Sequence, residues 1–322
     1  MRAHLFIYIL GILLSLPGLV GAEELASEPT KKLWFNPYAI TGVTHYQLEY
    51  GSGENVSDIS DNVELSENLP FIGAGMTSIY DKFSLDFSFI TSAGMLGDID
   101  QSGGFSDPDL ANIVYERDIH LKRNTWNLSF GYELYSNRSE NIVVFAGYKE
   151  AKTNYGWVDH EYKGIEENQV GVAGKDNEFN TNGWFLGMNY GREFAPFGHK
   201  GRLGLNLSYA ELDGEIETNR VHTDIGKGQG LRARTRNETV FSDTKGFSMG
   251  ISWAGGLPVL GDNWSYSLFL ERASYDFDAK SGHFTDSFFS DGYTHKILDR
   301  DLNSYDAKET IYSINFSISY FF

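Results

Sequence analysis

The chain has 322 residues and a net charge of −18, with 44 acidic side chains against 26 basic ones and no cysteine. So acidic a balance argues against a nucleic-acid partner, which calls for a basic surface, while the missing cysteine suits a route through an oxidising compartment without requiring one. The negative mean hydropathy points at face value to a soluble domain, but strands that show only every second residue to lipid dilute that average.

Arg2 is followed by an apolar run from Leu5 to Val20 and then by Val20-Gly21-Ala22, small residues suited to a signal peptidase. Residues 1–22 therefore read as a cleaved secretory signal, the run being shorter than the ~20 residues of a spanning helix. The mature chain, 23–322, reads as a single domain. No later segment carries a helical apolar run long enough to cross a bilayer.

The mature chain alternates instead. Ile40, Gly42, Thr44, Tyr46, Leu48 and Tyr50 share one face of a first strand, with Thr41, His45, Gln47 and Glu49 on the other, since side chains in a strand repeat every second residue. A second strand covers Leu69 to Ile79. After a turn at Tyr80-Asp81-Lys82, a third sets Phe83, Leu85, Phe87 and Phe89 against Ser84, Asp86 and Ser88. A fourth centres on Trp126, Leu128, Phe130, Tyr132 and Leu134 and a fifth on Ile142, Val144, Ala146 and Tyr148. Ile119 and Leu121 have the opposite parity to the fourth strand's apolar face, which predicts a bulge near Arg123 and Asn124. Later strands carry Trp184 to Tyr190, Leu203 to Tyr209, Phe247 to Trp253 and Trp264 to Leu270. Short turns fall at Asp81, Asn137, Pro196 and Pro258, which assigns them to the periplasmic side. Five long polar segments, 51–68, 92–117, 156–181, 213–238 and 278–308, are expected as outward-facing loops.

The last strand is the most regular: Tyr312, Ile314, Phe316, Ile318, Tyr320 and Phe322 alternate with Ser313, Asn315, Ser317 and Ser319, and the chain ends on the aromatic Phe322. One face is oily and the other hydroxyl-rich, as where lipid lies on one side and an aqueous lumen on the other. This strand resembles the C-terminal signature of Gram-negative outer-membrane β-barrel proteins. The resemblance implies recognition by the outer-membrane assembly machinery through the strand ending in Phe322, closure against the first strand, and contact with the lipid bilayer and lipopolysaccharide. The expected fold is all-β: a closed antiparallel transmembrane barrel of about ten strands, or alternatively about twelve, with short periplasmic turns and long extracellular loops. So narrow a bore argues against a wide diffusion pore and favours a plugged lumen over a narrow channel. Glu49, Asp86, Glu133, Lys149 and Glu271 are the candidate charged residues inside it.

Three constellations carry chemical expectations. In Asp98-Ile-Asp100-Gln-Ser102-Gly103-Gly104-Phe-Ser-Asp-Pro-Asp109 the oxygen-bearing side chains Asp98, Asp100, Ser102 and Asp109 recur at the spacing of a calcium loop with Gly103 at the sharp turn, though without flanking helices. A solvated acidic loop is the alternative. The same Asp98-x-Asp100 pair above the third strand, with Asn127-Leu-Ser-Phe-Gly131 and Phe145-Ala-Gly-Tyr-Lys-Glu-Ala151, resembles the omptin family of outer-membrane proteases. That resemblance implies an Asp pair facing an Asp-His pair with a water activated between them, here Asp98 and Asp100 facing His222 and Asp224, or the nearby Asp213. The family order is Asp before His, whereas this chain has His222-Thr-Asp224. Finally, Arg232, Arg234 and Arg236 alternate along one segment, and their guanidinium forks match the phosphates of lipopolysaccharide. They equally serve to offset neighbouring acids.

The expectation is thus a cell-surface protein of the Gram-negative outer membrane, non-enzymatic, acting as a narrow porin-like channel or as a binding protein through its acidic loops. An omptin-like endopeptidase and a calcium-ordered adhesin are the alternatives, and no cofactor other than calcium is called for.

Overall fold

The alternating segments become strands in the order β1 (Leu33–Gly51), β2 (Asp61–Tyr80), β3 (Phe83–Gly103), β4 (Val114–Tyr115), β5 (Asp118–Ser136), β6 (Glu140–Trp157), β7 (Gln169–Gly174), β8 (Asn177–Phe194), β9 (Gly201–Gly226), β10 (Gln229–Gly256), β11 (Trp264–Ser290), β12 (Tyr293–Leu302) and β13 (Asp306–Tyr320). The computed structural model describes residues 33–51, 61–103, 114–115, 118–157, 169–174, 177–195, 201–226, 229–261, 263–290, 293–302 and 306–322. The expected signal segment 1–22 and the expected turn at Pro196 lie outside the described residues.

Ten of these strands are the staves of a closed antiparallel barrel, β1, β2, β3, β5, β6, β8, β9, β10, β11 and β13; twelve is not the number. Each pairs with the staves before and after it. The ring closes where β13 returns to β1, from Tyr38 opposite Ser319 to Gly51 opposite Asp306, and closure leaves these ladders no free edge. The short turns share one end of the barrel with both ends of the stave sequence. Asp81, at φ 56°, makes the β2–β3 turn, and Asn137 Oδ1 accepts the backbone N–H groups of Ser139 and Glu140 in the β5–β6 turn. At the same end the amide of Phe321 donates to Asn263 O and that of Phe322 to Phe35 O.

Outward-facing side chains define an apolar band. Phe83 to Phe89, Leu128 and Phe130, Leu203 to Leu207, Phe247 to Ile251 and Ile314 are exposed at alternate positions. Aromatic clusters bound the band: Trp264 with Tyr320 (5.1 Å) and Phe194 with Trp253 (6.2 Å) on the turn side, and Trp126, Tyr148 and Trp184 in contact at 5.6 and 5.5 Å on the other. From Trp184 to Phe194 is about ten residues, which at about 3.3 Å each and a tilt of about 40° gives a height of about 25 Å, the thickness of a barrel's lipid-facing belt.

Above the band the polarity of the wall inverts on β9 and β11, with no break in their register to β8 and β13 at the switch. On β9, Leu203, Leu205 and Leu207 face out with Asn206 and Ser208 in the lumen; four residues on, Glu211 and Asp213 face out while Leu212 and Ile216 are buried. On β11 the same switch puts Leu268 and Leu270 outside below, and Asp276 and Asp278 outside above, with Tyr275 and Phe277 buried. The physical reason is the change of solvent: against lipid the apolar side faces out, and against water it turns in.

This inversion corrects three expectations. Most of the polar segments expected as loops are strand: β2 begins at Asp61, β3 runs to Gly103, residues 213–238 are β9 and β10 except for 227–228, which lie outside the described residues, and β11 continues to Ser290. No bulge exists at Arg123 and Asn124, where the register with both neighbours is continuous; the parity holds, and Leu121 is buried because it joins the apolar cluster of the upper interior. Glu49 is exposed on the outer wall, between the buried Leu48 and Tyr50 and opposite Lys308 of β13, so it is no lumen residue.

With 26, 28 and 27 residues, β9, β10 and β11 outrun the band. Past Asp278 the ladder of β11 passes from β13 to β12, and past Glu217 that of β9 passes from β8 to β7. An antiparallel extension in the order β12-β11-β10-β9-β7 thus rises from the barrel. Inside the wall, glycines make room for rings: a Cβ on Gly42 would lie 2.6 Å from the Phe71 ring opposite, and one on Gly246 2.3 Å from Tyr275. Each aromatic lies flat across the neighbouring strand where only a hydrogen permits it.

Candidate functional site

The lower lumen is a polar cavity of about 660 Å³ reaching from the turn residues Asp81 and Lys82 up to Arg123, Tyr275 and Asn315. Serine, threonine and asparagine make up much of its lining because the inward phase of each stave in the membrane band carries them, and the rings of Phe71, Phe145, Phe185 and Phe269 stand among them. Asp86, Glu133, Lys149 and Glu271 all face this cavity. Asp86 accepts hydrogen bonds from Thr77 Oγ1 at 2.6 Å and Tyr38 Oη at 3.3 Å. Lys149 reaches across to Tyr275, donating to its hydroxyl, with Nζ 4.5 Å from the ring centroid.

The top of the cavity is closed by a ceiling made of stave side chains. Arg123 of β5 extends to Glu309 of β13 in a forked pair, Nη1 to Oε1 at 2.5 Å and Nη2 to Oε2 at 3.2 Å, and Nη1 also donates to Thr153 Oγ1 at 2.7 Å. The Glu309 side chain is 1% exposed and that of Arg123 9%. The guanidinium carbon stands 5.3 Å from the Tyr46 ring centroid, so the charge is met by a carboxylate, a hydroxyl and a π-face together. Above lie Tyr50 and Tyr155, joined hydroxyl to hydroxyl at 2.5 Å, and Phe179 edge-on to Phe277 at 4.6 Å. Leu48, Leu69, Ile216 and Val240, all nearly inaccessible, complete this cluster. The lumen is therefore roomy and polar in the band and filled above it.

Arg123 and Glu309 are not among the candidate lumen charges, yet both carry a signal. Glu309 is in phase with the lumen-facing Ser313 and Asn315, so extending the terminal alternation by two more pairs of residues reaches it. Arg123 sits beside the parity anomaly that mimics a bulge.

The other described candidates lie above the apolar band, on β3, β9 and β10. Asp98 and Asp100 are on β3, opposite Asp118 of β5 and Glu64 of β2 respectively. Ser102 follows on the same extended strand, so this part of the calcium pattern is not curled into a loop; Asp109 lies outside the described residues. His222 and Asp224 are on β9, and the register sets Arg234 opposite His222 and Arg232 opposite Asp224. Arg236 stands opposite Arg220 of β9 and Asp286 of β11. The fold thus brings the histidine segment and the arginine segment, separate constellations in the sequence, onto one ladder. Asp213 is outward, 3.5 Å from Lys280 Nζ, which also bonds Asp243 at 2.6 Å; hydrogen bonding to Asp243 holds this lysine above its ordinary pKa range. Asp213 is an ion-pair residue on the outer wall. Among the described residues no group of His, Asp and Glu side chains is arranged to hold a metal.

No family model and no curated protein matches the chain. Among solved structures, the outer membrane protease OmpT of Escherichia coli matches over 93% of this chain and 99% of its own, with a TM-score of 0.57 at 12% identity. The toluene transporter TodX of Pseudomonas putida covers 91% of this chain and 90% of its own at 7% identity, with a TM-score of 0.31. The translocator domain of the autotransporter NalP of Neisseria meningitidis covers 92% and 90% at 9% identity, also with a TM-score of 0.31. What the chain shares with OmpT at this level of identity is its architecture, a closed ten-stranded antiparallel barrel of the outer-membrane type.

Proposed function

We propose that this protein is a non-enzymatic surface barrel of the Gram-negative outer membrane, closed at rest to through-flow, whose binding work is done by its extracellular extension. The observation that supports this reading is the ceiling: among the described residues, a buried forked ion pair surmounted by tyrosines, leucines and phenylalanines lies across the top of the cavity. Strands that continue well beyond the lipid-facing belt are costly to order unless the surface they raise is used, and rigid scaffolds commonly carry binding at such ends. Lipopolysaccharide contact and cleavage of the signal after Ala22 belong to the same reading. Planar-bilayer recording of the refolded protein tests it. Currents indistinguishable from the bare membrane are expected, and steady single-channel steps in the parent protein would refute it.

A second reading, an omptin-like endopeptidase, is favoured by one specific arrangement. Asp98 and Asp100 lie on the third stave and His222 and Asp224 on the seventh, both beyond the apolar band, on a fold shared with a named outer membrane protease. Histidine is the side chain most readily poised as a base near neutral pH. Mass spectrometry of a diverse peptide mixture incubated with the refolded barrel in lipopolysaccharide decides it. Cleavage lost in both Asp98→Ala and His222→Ala would establish the peptidase, and an uncut mixture leaves the binding reading in place.

A further inference from the structure

A barrel that served only to hold up a surface extension could be filled with apolar side chains from end to end. This one is not. It keeps a cavity of about 660 Å³ directly beneath its ceiling, where hydroxyls, amides and charges alternate with phenylalanine rings along the lining, and Asn315 Oδ1, buried beside that cavity, has no hydrogen-bond partner among the described residues. Such a lumen is built for water. Every described residue of the ceiling belongs to a stave, and the contacts that close it run between separated staves: Arg123 of the fourth to Glu309 of the tenth and Tyr50 of the first to Tyr155 of the fifth. A constriction made of long side chains opens by rotamer changes, without moving the backbone ladders.

We propose that the ceiling is a latch rather than a plug, with the Arg123–Glu309 pair as its bolt, and that the unlatched lumen conducts small monovalent cations. The selectivity arises from the lining, where below the bolt Asp81, Asp86, Glu133 and Glu271 outnumber Lys82 and Lys149, and carboxylates in a narrow bore favour cations. The bolt is also placed to be worked from outside. Glu309 lies close to the start of β13 at Asp306, where the barrel wall gives way to β12 of the extension, so a partner that shifts the extension pulls on the residue holding the lumen shut.

The test is planar-bilayer recording of the full refolded chain in potassium chloride, with folding checked by heat-modifiable gel mobility. In Glu309→Lys, like charges meet in the ceiling, and conductance is expected to exceed the parent's background at least tenfold. The swapped pair Arg123→Glu with Glu309→Lys restores the attraction and should return the membrane to silence. The double variant Arg123→Ala, Glu309→Ala removes both groups and should conduct with a reversal potential favouring potassium over chloride. If Glu309→Lys and the double alanine variant both fold and stay silent, the proposal is overturned. It is equally overturned if neither folds, because the pair is then a strut, or if the swapped pair conducts as freely as Glu309→Lys.

Discussion

Truncating Arg123 to alanine leaves the Glu309 carboxylate, 1% exposed, without its counter-charge. Removing one partner of a buried ion pair costs about 3–5 kcal/mol, because the remaining charge keeps its desolvation penalty and loses the attraction that offset it. The contact of the guanidinium with the Tyr46 ring and its bond to Thr153 go with it, which places the expected loss toward the upper end. For a chain of this size, with a urea dependence of about 3 kcal/mol per molar, the unfolding midpoint should fall by about 1–2 M. Tryptophan fluorescence of the refolded barrel in lipopolysaccharide-containing micelles reads this directly. Glu309→Ala should cost a similar amount, and the two changes together about 2 kcal/mol less than their sum, since the second then removes a group already stranded. A single variant within about 1 kcal/mol of the parent, or strict additivity in the double variant, would refute the buried-pair reasoning.

Replacing Gly246 by valine forces a branched side chain into the Tyr275 ring, which a Cβ alone would approach to 2.3 Å; a loss of about 1–3 kcal/mol is expected from overpacking, measured by the same urea titration. Phe130→Arg, in the middle of the apolar band, should cost about 2–4 kcal/mol of stability in lipid, whereas Asp213→Arg, outward on the wall above it and engaged in a surface pair with Lys280, should change stability by less than about 1 kcal/mol. Equal costs at the two sites would mean that the band is misplaced. Because Lys280 owes its raised pKa to exposed Asp243 and Asp213, its charged form is favoured below the folded pKa, and whatever stability that gives disappears only as pH rises through it. A urea midpoint that is flat from about pH 6 to 9 is therefore expected for Lys280→Met relative to the parent.

Much of the barrel is legible along the chain because the pleat is a strict period of two and the belt facing lipid leaves no choice of side. Phe83 to Phe89 and the final run to Phe322 can only be staves, and the turn at Asp81 can only be tight. The upper half is illegible for a definite reason. Asp213, Glu215 and Glu217 suggest a loop because acidic residues punctuate loops, yet between them stand Leu212, Gly214 and Ile216, an alternation as regular as that of the last strand with its sense reversed. Leu121 misleads in the same way, and so does Glu49, whose charge suggests the lumen when Tyr46, Leu48 and Tyr50 have already claimed it. The bolt of the ceiling stays hidden because Arg123 and Glu309 are 186 positions apart, and nothing in either neighbourhood names the other. His222 and the arginines 232, 234 and 236 lie on adjoining strands joined at 227–228, so their meeting needs only the recognition that both segments are extended.

The reversal of polarity along β9 and β11 gives these strands two grammars, and substitution tolerance should switch phase between them. In a saturation scan of β9, charge would be refused at 203, 205 and 207 and accepted above at 211, 213 and 217, while positions 212 and 216 would refuse it and their counterparts below, 206 and 208, would be more permissive. The residue at which the pattern flips marks the water boundary on each stave. Joined around the ring, those flip points would draw the plane of the membrane on this protein from growth or folding selection alone.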